Sequence, residues 1–334
     1  MSREPADIAP RRRSSRNELD PILGSTIAGD LVIERPIGSG GHADVFLARQ
    51  RSVGDRKVAL KVLCRPYLSL REPDMRRAAV ALVREAAVLG QMTSPCFVQV
   101  HLTGVLPDTR PFVVMEYVEG DTLAALLART RRLPVTWMLD LVSQLAAGLA
   151  ELHALGHVHR DVTPANLLIK AGPLGEPKLK MIDFGTVTRI SDKPDRYRVG
   201  YDLEHPLGTP GYMAPEQARG DVVDGRADMF ALAAIAWEGL VGRRAIDPSL
   251  MTQRALLDYL RGVAALPAQP ATAAEAVPAP ILAVLLRALD RDPARRYPDI
   301  GLFARALRAS IDDEGATTAA PGLLSRLFRE RPRT

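Results

Sequence analysis

The sequence predicts an α+β protein in two lobes, a small sheet-rich one followed by a larger helical one. Two observations carry this. Between residues 28 and 119 the apolar residues come in short runs rich in Val and Ile, broken by glycine turns and joined by a single helical stretch. After Gly120 the texture changes to long Leu/Ala stripes of helical period. The composition agrees, because 334 residues with 47% hydrophobic and 25% charged content can bury a sizeable core.

Taken in order, residues 1–27 are rich in Arg, Pro and Ser, lack periodicity, and are expected to form a disordered basic arm. "LVIERPIGSGGHADVFLARQ" reads as strand, glycine turn and strand, and "RKVALKVLC" as a third strand. A helix is expected from at or near Met75, with Asp74 as its cap. "FVQVHLTGVL" and "PFVVMEYVEG" form a strand pair around the turn "PDTR". Residues 120–311 then hold four clear helices: "TLAALLARTRR", "TWMLDLVSQLAAGLAELHALG", "RADMFALAAIAWEGLVG" and "PAPILAVLLRALD". Residues 312–334 are an acidic hinge followed by a basic amphipathic tail, with Leu323, Leu324, Leu327 and Phe328 on one helical face. That face could dock on its own lobe, grip a partner or touch an anionic membrane peripherally.

Several classes are disfavoured. The formal charge is 44 − 39 = +5, too diffuse over the chain to point to a specific nucleic-acid partner. Cys64 and Cys96 have neither metal nor disulfide spacing and read as buried thiols of a cytoplasmic protein. The first twenty residues lack the apolar core of a secretory signal. "MFALAAIAWEGLVG" contains Glu238 and falls short of the roughly 20 residues a bilayer span needs, so it reads as a buried helix.

The polar motifs point to phosphate chemistry. In "IGSGGHADV" the glycines let backbone amides approach an anion closely. No helix follows that turn, as a dinucleotide-binding fold would require. In "VALK", Lys61 lies on a strand with Ala59 on the same face. A lysine buried there needs a partner, and Glu85, on the following helix, is the obvious one; a solvent-facing Glu85 is the plainer alternative. "HRDVTPAN" presents Asp161, able to accept or orient a proton, and Asn166, able to ligate a hard cation. Asp183 of "DFG" supplies a second oxygen of the kind Mg²⁺ carrying phosphate requires.

The ordered set "GSGGHADV", "VALK", Glu85, "MEYVEG", "HRDVTPAN", "DFG", "GTPGYMAPEQ", "ADMFAL" and "DPARRYPD" resembles the bacterial eukaryotic-like (Hanks-type) serine/threonine protein kinases over residues 28–311. The resemblance implies a bilobal protein kinase-like fold, with an N-lobe at 28–119 and a C-lobe at 120–311. It implies transfer of the γ-phosphoryl group of Mg-ATP to Ser/Thr hydroxyls of protein substrates, with Mn²⁺ able to replace Mg²⁺. By that likeness Ile37, Gly38, Ser39 and Gly40 cover the phosphates, Val45 and Ala59 roof the adenine, and Leu168 floors it. Met115 becomes the gatekeeper, with the backbone of Glu116 and Val118 on the adenine edge. Lys61, held by Glu85, binds the α and β phosphates; Asn166 and Asp183 hold the metal; Asp161 is the base. Glu216 pairs with Arg296, and Asp228 supports the catalytic loop.

Two departures stand out. Thr163 occupies the place where most such kinases carry a lysine touching the γ-phosphate, so one electrostatic aid is missing. Arg160, beside Asp161, is by the resemblance the mark of kinases switched on by a phosphate in the loop that follows, yet the segment 192–207 has no Ser or Thr. Either Asp202 or Glu204 fills that role by pairing with Arg160, or both are solvated loop charges; the available hydroxyls nearer the DFG are Thr186, Thr188 and Ser191. The expectation is an active enzyme. A pseudokinase scaffold and a small-molecule phosphotransferase are the alternatives, the latter disfavoured by "GTPGYMAPE".

Overall fold

The computed structural model describes residues 20, 22–39, 43–64, 72–173, 175–190, 211–246 and 277–312. These fall in two compact units, one within residues 1–82 and 101–117, the other within 83–100 and 118–334.

The first unit is a six-stranded sheet. Its strands are β1 (Thr26–Ile27), β2 (Leu31–Ser39), β3 (Ala43–Gln50), β4 (Arg56–Leu63), β5 (Val100–Val105) and β6 (Pro111–Glu116), in the order β1-β2-β3-β4-β6-β5. Register explains the sequence pattern. Phe46, Ala48, Val58, Leu60, Val62, Phe112 and Val114 alternate onto one face and join Leu31 and Ile33 in a closed apolar cluster. Burying each such Phe or Leu contributes roughly 1.5–3 kcal/mol. The opposite face takes the intervening residues, which include Lys61 and Ala59.

The expected disordered arm ends earlier than residue 27. Ile22 and Ile27 lie in the same apolar cluster, and Thr26–Ile27 is the edge strand β1, paired with β2. Asp20 is tied to Arg110, a fully buried residue of the β5–β6 turn. Arg110 Nη1 and Nη2 donate to the two carboxylate oxygens of Asp20 at 2.8 and 3.1 Å. Its Nε donates to Asp108 at 2.8 Å, and Nη1 also reaches the carbonyl of Leu63 at 3.3 Å. A buried guanidinium demands such saturation.

Helix α1 (Glu72–Leu89) begins three residues before the expected start and runs across the division between the units. The second unit is mainly helical. It holds α2 (Leu123–Thr130), α3 (Val135–Ala154), α4 (Pro215–Arg219), α5 (Gly225–Val241), α6 (Ala279–Ala288) and α7 (Ile300–Asp312). Short strands complete it: β7 (Asp121–Thr122), β8 (His157–Val158), β9 (Leu167–Ala171), β10 (Pro177–Met181) and β11 (Thr188–Arg189). β10, β9 and β7 form one antiparallel sheet, and β11 pairs with β8. Thr122 caps α2 by accepting from the amide of Ala125.

Helix α5 is buried around its circumference from Ala227 to Ala236, as a helix that is apolar on every side should be. It starts at Asp224, whose carboxylate caps the amide of Arg226, and stops at Gly242, whose φ of 82° suits glycine. Among the described residues no helix is long and apolar enough to cross a membrane. Helix α3 packs against α5, α7 and β10.

Gly148 of α3 is needed for close approach. A Cβ there would stand 2.1 Å from Cys96 Sγ and 2.9 Å from the Phe97 ring. Gly148→Ala is expected to cost about 1–3 kcal/mol by overpacking, read as a lower urea midpoint at unchanged slope. An unchanged midpoint would show that residues 96–97 yield freely. Both cysteines are buried, and burial pushes the Cys96 thiol up to about 11, so it is an inert packing group.

Candidate active site

In the first unit the sequence-selected residues share one sheet face. Across β3, β4 and β6 the register sets Val45, Lys61 and Val113 side by side, and Leu47, Ala59 and Met115 in the next row. Directly opposed residues in an antiparallel sheet project to the same side, and residues two apart do likewise. Lys61, Val45, Ala59 and Met115 therefore lie on the face opposite the apolar cluster. Gly38 pairs with Val45, and Ser39 Oγ donates to Asp44 at 2.8 Å. Ile37 is exposed on β2. Glu116 stands opposite Val58, so its side chain leaves that face. Lys61 is only 8% exposed, an expensive place for an ammonium unless it meets an anion. Gly40 lies outside the described residues.

In the second unit the stretch around Asp161 is built on a backbone that would not hold itself. Arg160 has φ +69°, left-handed for a side chain with a Cβ, at a cost on the order of 1–3 kcal/mol. Asp228, in the first turn of α5, offsets it. Its two carboxylate oxygens accept the amides of His159 and Arg160, each at 2.8 Å. His153 Nε2 stands 2.8 Å from the same carboxylate. Burial opposes ionisation of Asp228, yet the bonds from His153 and the His159 amide outweigh it and hold the carboxyl below the usual carboxylate range. The support expected of Asp228 is thus two hydrogen bonds to the residues just before Asp161. His159 is fully buried, with its ring edge-on to Phe184 at 4.9 Å.

Asp161 and Asn166 come together across the 3-10 turn Pro164–Asn166. The Asn166 side-chain nitrogen donates to the carbonyl and the Oδ2 of Asp161, at 3.1 and 3.2 Å. Both partners are acceptors, so the amide oxygen of Asn166 must be the atom turned away from them. Among the described residues no donor reaches that oxygen. Asp183 stands at the next turn, half-buried, with Oδ1 accepting the amide of Gly185 at 3.0 Å. The amide of Ile182 donates to the carbonyl of Asn166, which ties the two segments together. An unengaged amide oxygen and a carboxylate on neighbouring turns fit a hard divalent cation.

Glu85 is buried at 6% exposure, against the solvent-facing alternative. Its Oε1 accepts the amide of Phe184 at 3.1 Å, directly after Asp183. Phe184 in turn packs edge-on to Phe97 at 5.0 Å. Leu168 is half-buried on β9 opposite Thr122, and Val118 is buried just beyond β6. Thr163 is 2% exposed, and its carbonyl accepts the amide of Asn166.

Glu216 of α4 and Arg296 form a buried two-pronged ion pair at 2.7 and 2.9 Å. Arg296 also donates to the carbonyls of Arg226 and Asp290 and lies over the Phe230 ring. Three supporting contacts had no signature in the sequence: His153 to Asp228, Thr186 to the His159 carbonyl, and Gln217 to the Arg160 carbonyl. Each partner is remote along the chain, and no local pattern announces it. The loop acids Asp202 and Glu204, Ser191 and the tail 313–334 lie outside the described residues.

A sheet-rich unit carrying a buried lysine, and a helical unit carrying an acid–amide pair beside a second aspartate, have the residue pattern of the protein kinase fold. The comparisons agree. The protein kinase domain model matches residues 31–302. Serine/threonine-protein kinase Pkn1 of Myxococcus xanthus is 32% identical over 93% of this chain and 43% of its own length. PknA of Corynebacterium glutamicum is 33% identical over 86% of this chain and 57% of its own, and PrkC of Bacillus subtilis 32% over 83% and 40%. The chain spans about half the length of these curated relatives. It belongs to the protein kinase domain family, and its fold is the α+β one expected.

Proposed function

We propose that this chain is an ATP-dependent serine/threonine protein kinase acting on protein substrates, with its catalytic lobes at residues 28–119 and 120–311. The observation that carries the reading is the Asp161–Asn166 pair on a loop whose backbone is clamped by Asp228, tied to the residue before Asp183 by the Ile182 amide on the Asn166 carbonyl. Asn166 and Asp183 would hold Mg²⁺, which when bound neutralises phosphate charge. Lys61 contacts the α and β phosphates. Ile37, Gly38, Ser39 and Gly40 cover them, and Val45, Ala59, Met115, Glu116, Val118 and Leu168 receive the adenine. Glu85 orders the Asp183–Phe184 turn through the Phe184 amide.

Asp161 orients the substrate hydroxyl and accepts its proton as the oxygen bonds to the γ-phosphorus. The bond to the β–γ bridging oxygen breaks, and ADP leaves. Little covalent chemistry falls to the protein, so positioning and charge carry the rate. Thr163 brings no charge to the transition state, so the rate rests on the remaining groups. The two buried, unlinked cysteines suit a reducing cytoplasm. The test is transfer of label from γ-³²P-ATP to the chain itself and to a generic Ser/Thr-rich protein, with phosphoamino-acid analysis. Phosphoserine or phosphothreonine is the expected product. Mg-ATP binding with no transfer to either would replace this reading by that of a scaffold.

A further inference from the structure

His159 and Arg160 stand immediately before Asp161, and each of their four backbone polar groups meets a side chain. Asp228 takes both amides. The carbonyl of His159 accepts from Thr186 Oγ1 at 2.7 Å, and the carbonyl of Arg160 accepts from Gln217 Nε2 at 2.9 Å. These last two donors come from two different segments, 27 and 57 residues further along the chain. Thr186 follows the Asp183–Phe184–Gly185 turn, and Gln217 lies in α4 beside Glu216.

The chemistry of both contacts is specific. Gln217 Oε1 accepts the amide of Ala214 at 3.2 Å, so its oxygen is committed and its nitrogen must face Arg160. A carboxylate of the same shape could take the Ala214 bond but would repel the Arg160 carbonyl. Thr186 needs only a hydroxyl, which serine supplies and valine does not. Arg160 lies in the left-handed region, so its peptide plane is not held by a helical or strand ladder. The two carbonyl bonds fix the rotation of the planes that aim Asp161.

We propose that Thr186 and Gln217 are positioning residues for the phosphoryl-transfer step, holding the His159 and Arg160 carbonyls so that Asp161 meets the substrate hydroxyl at its reacting geometry. This rests on the kinase reading above. It adds to that reading a coupling: the turn after Asp183 and the helix after residue 214 both set the aim of the base. A misplacement of about 1 Å can cost about 100-fold in rate.

The test compares Thr186→Val, Thr186→Ser, Gln217→Glu and Gln217→Leu with wild type. It reads kcat, KM for ATP, thermal midpoint, and amide hydrogen exchange in a peptide spanning 157–167. Thr186→Val and Gln217→Glu should each lower kcat by about 10- to 100-fold. KM for ATP should stay within about twofold, since neither Thr186 nor Gln217 is among the residues proposed to contact the nucleotide. Exchange of the 159–161 amides should quicken, and Thr186→Ser should restore both readouts. Unchanged kcat and exchange in the valine and glutamate variants would overturn the proposal. So would a loss that follows the thermal midpoint and is not recovered by serine. If wild type itself transfers no phosphate, the kinase reading fails, and the exchange measurement alone then decides whether these side chains hold the loop.

Discussion

Asp161→Asn should lose about 10²–10⁴-fold in phosphate transfer while keeping the thermal midpoint of wild type. The substitution preserves size and leaves an oxygen able to accept from Asn166, whose present bonds go to the Asp161 carbonyl and Oδ2. It removes the carboxylate proposed to take the substrate's proton. Lys61→Met should be silent to a comparable degree for a different reason, losing a cation from the sheet face it shares with Ala59 and Val45. Labelled-phosphate transfer and a melting curve on both variants separate chemistry from folding. Full turnover in Asp161→Asn would falsify the assignment of the base.

The largest expected loss of stability lies elsewhere, at Glu216. Its carboxylate meets Arg296 at 2.7 and 2.9 Å with the guanidinium fully buried. Glu216→Ala strands that charge and should cost about 3–5 kcal/mol. The double variant Glu216→Ala with Arg296→Met should be milder than the sum of its parts, because it removes the stranded charge as well. Urea unfolding of the four chains measures this coupling. Additive losses, or a cost under about 1 kcal/mol for Glu216→Ala, would show that the guanidinium is sustained by the carbonyls of Arg226 and Asp290 and the Phe230 ring.

Much of this arrangement was legible in the chain. The strands β2 to β4 follow from alternating apolar residues, which fix a face but name no partner. Helix α5 was readable as buried because it is apolar on every side. Motif spacing selected Lys61, Glu85, Asp161, Asn166 and Asp183. What stayed hidden are contacts between residues far apart in sequence: Asp20 with Arg110, 90 residues away, or Gln217 with Arg160, 57 away. Periodicity reports which side of an element is covered and is blind to which distant group covers it. The left-handed Arg160 was equally unreadable, since only glycine advertises such a backbone. The buried Glu85 fell between, because its helix pattern alone favoured solvent.

The pairing of Asp20 with Arg110 also bears on where the folding unit begins. The family match opens at residue 31, eleven positions downstream of that carboxylate. A polypeptide trimmed to the homology boundary would carry the Arg110 cation into an oily interior with Asp108 as its remaining ionic partner among the described residues, and would forfeit Ile22 and Ile27 as well. The described residues between 20 and 30 are therefore structural mortar for the sheet, and any dissection of this chain has to keep them.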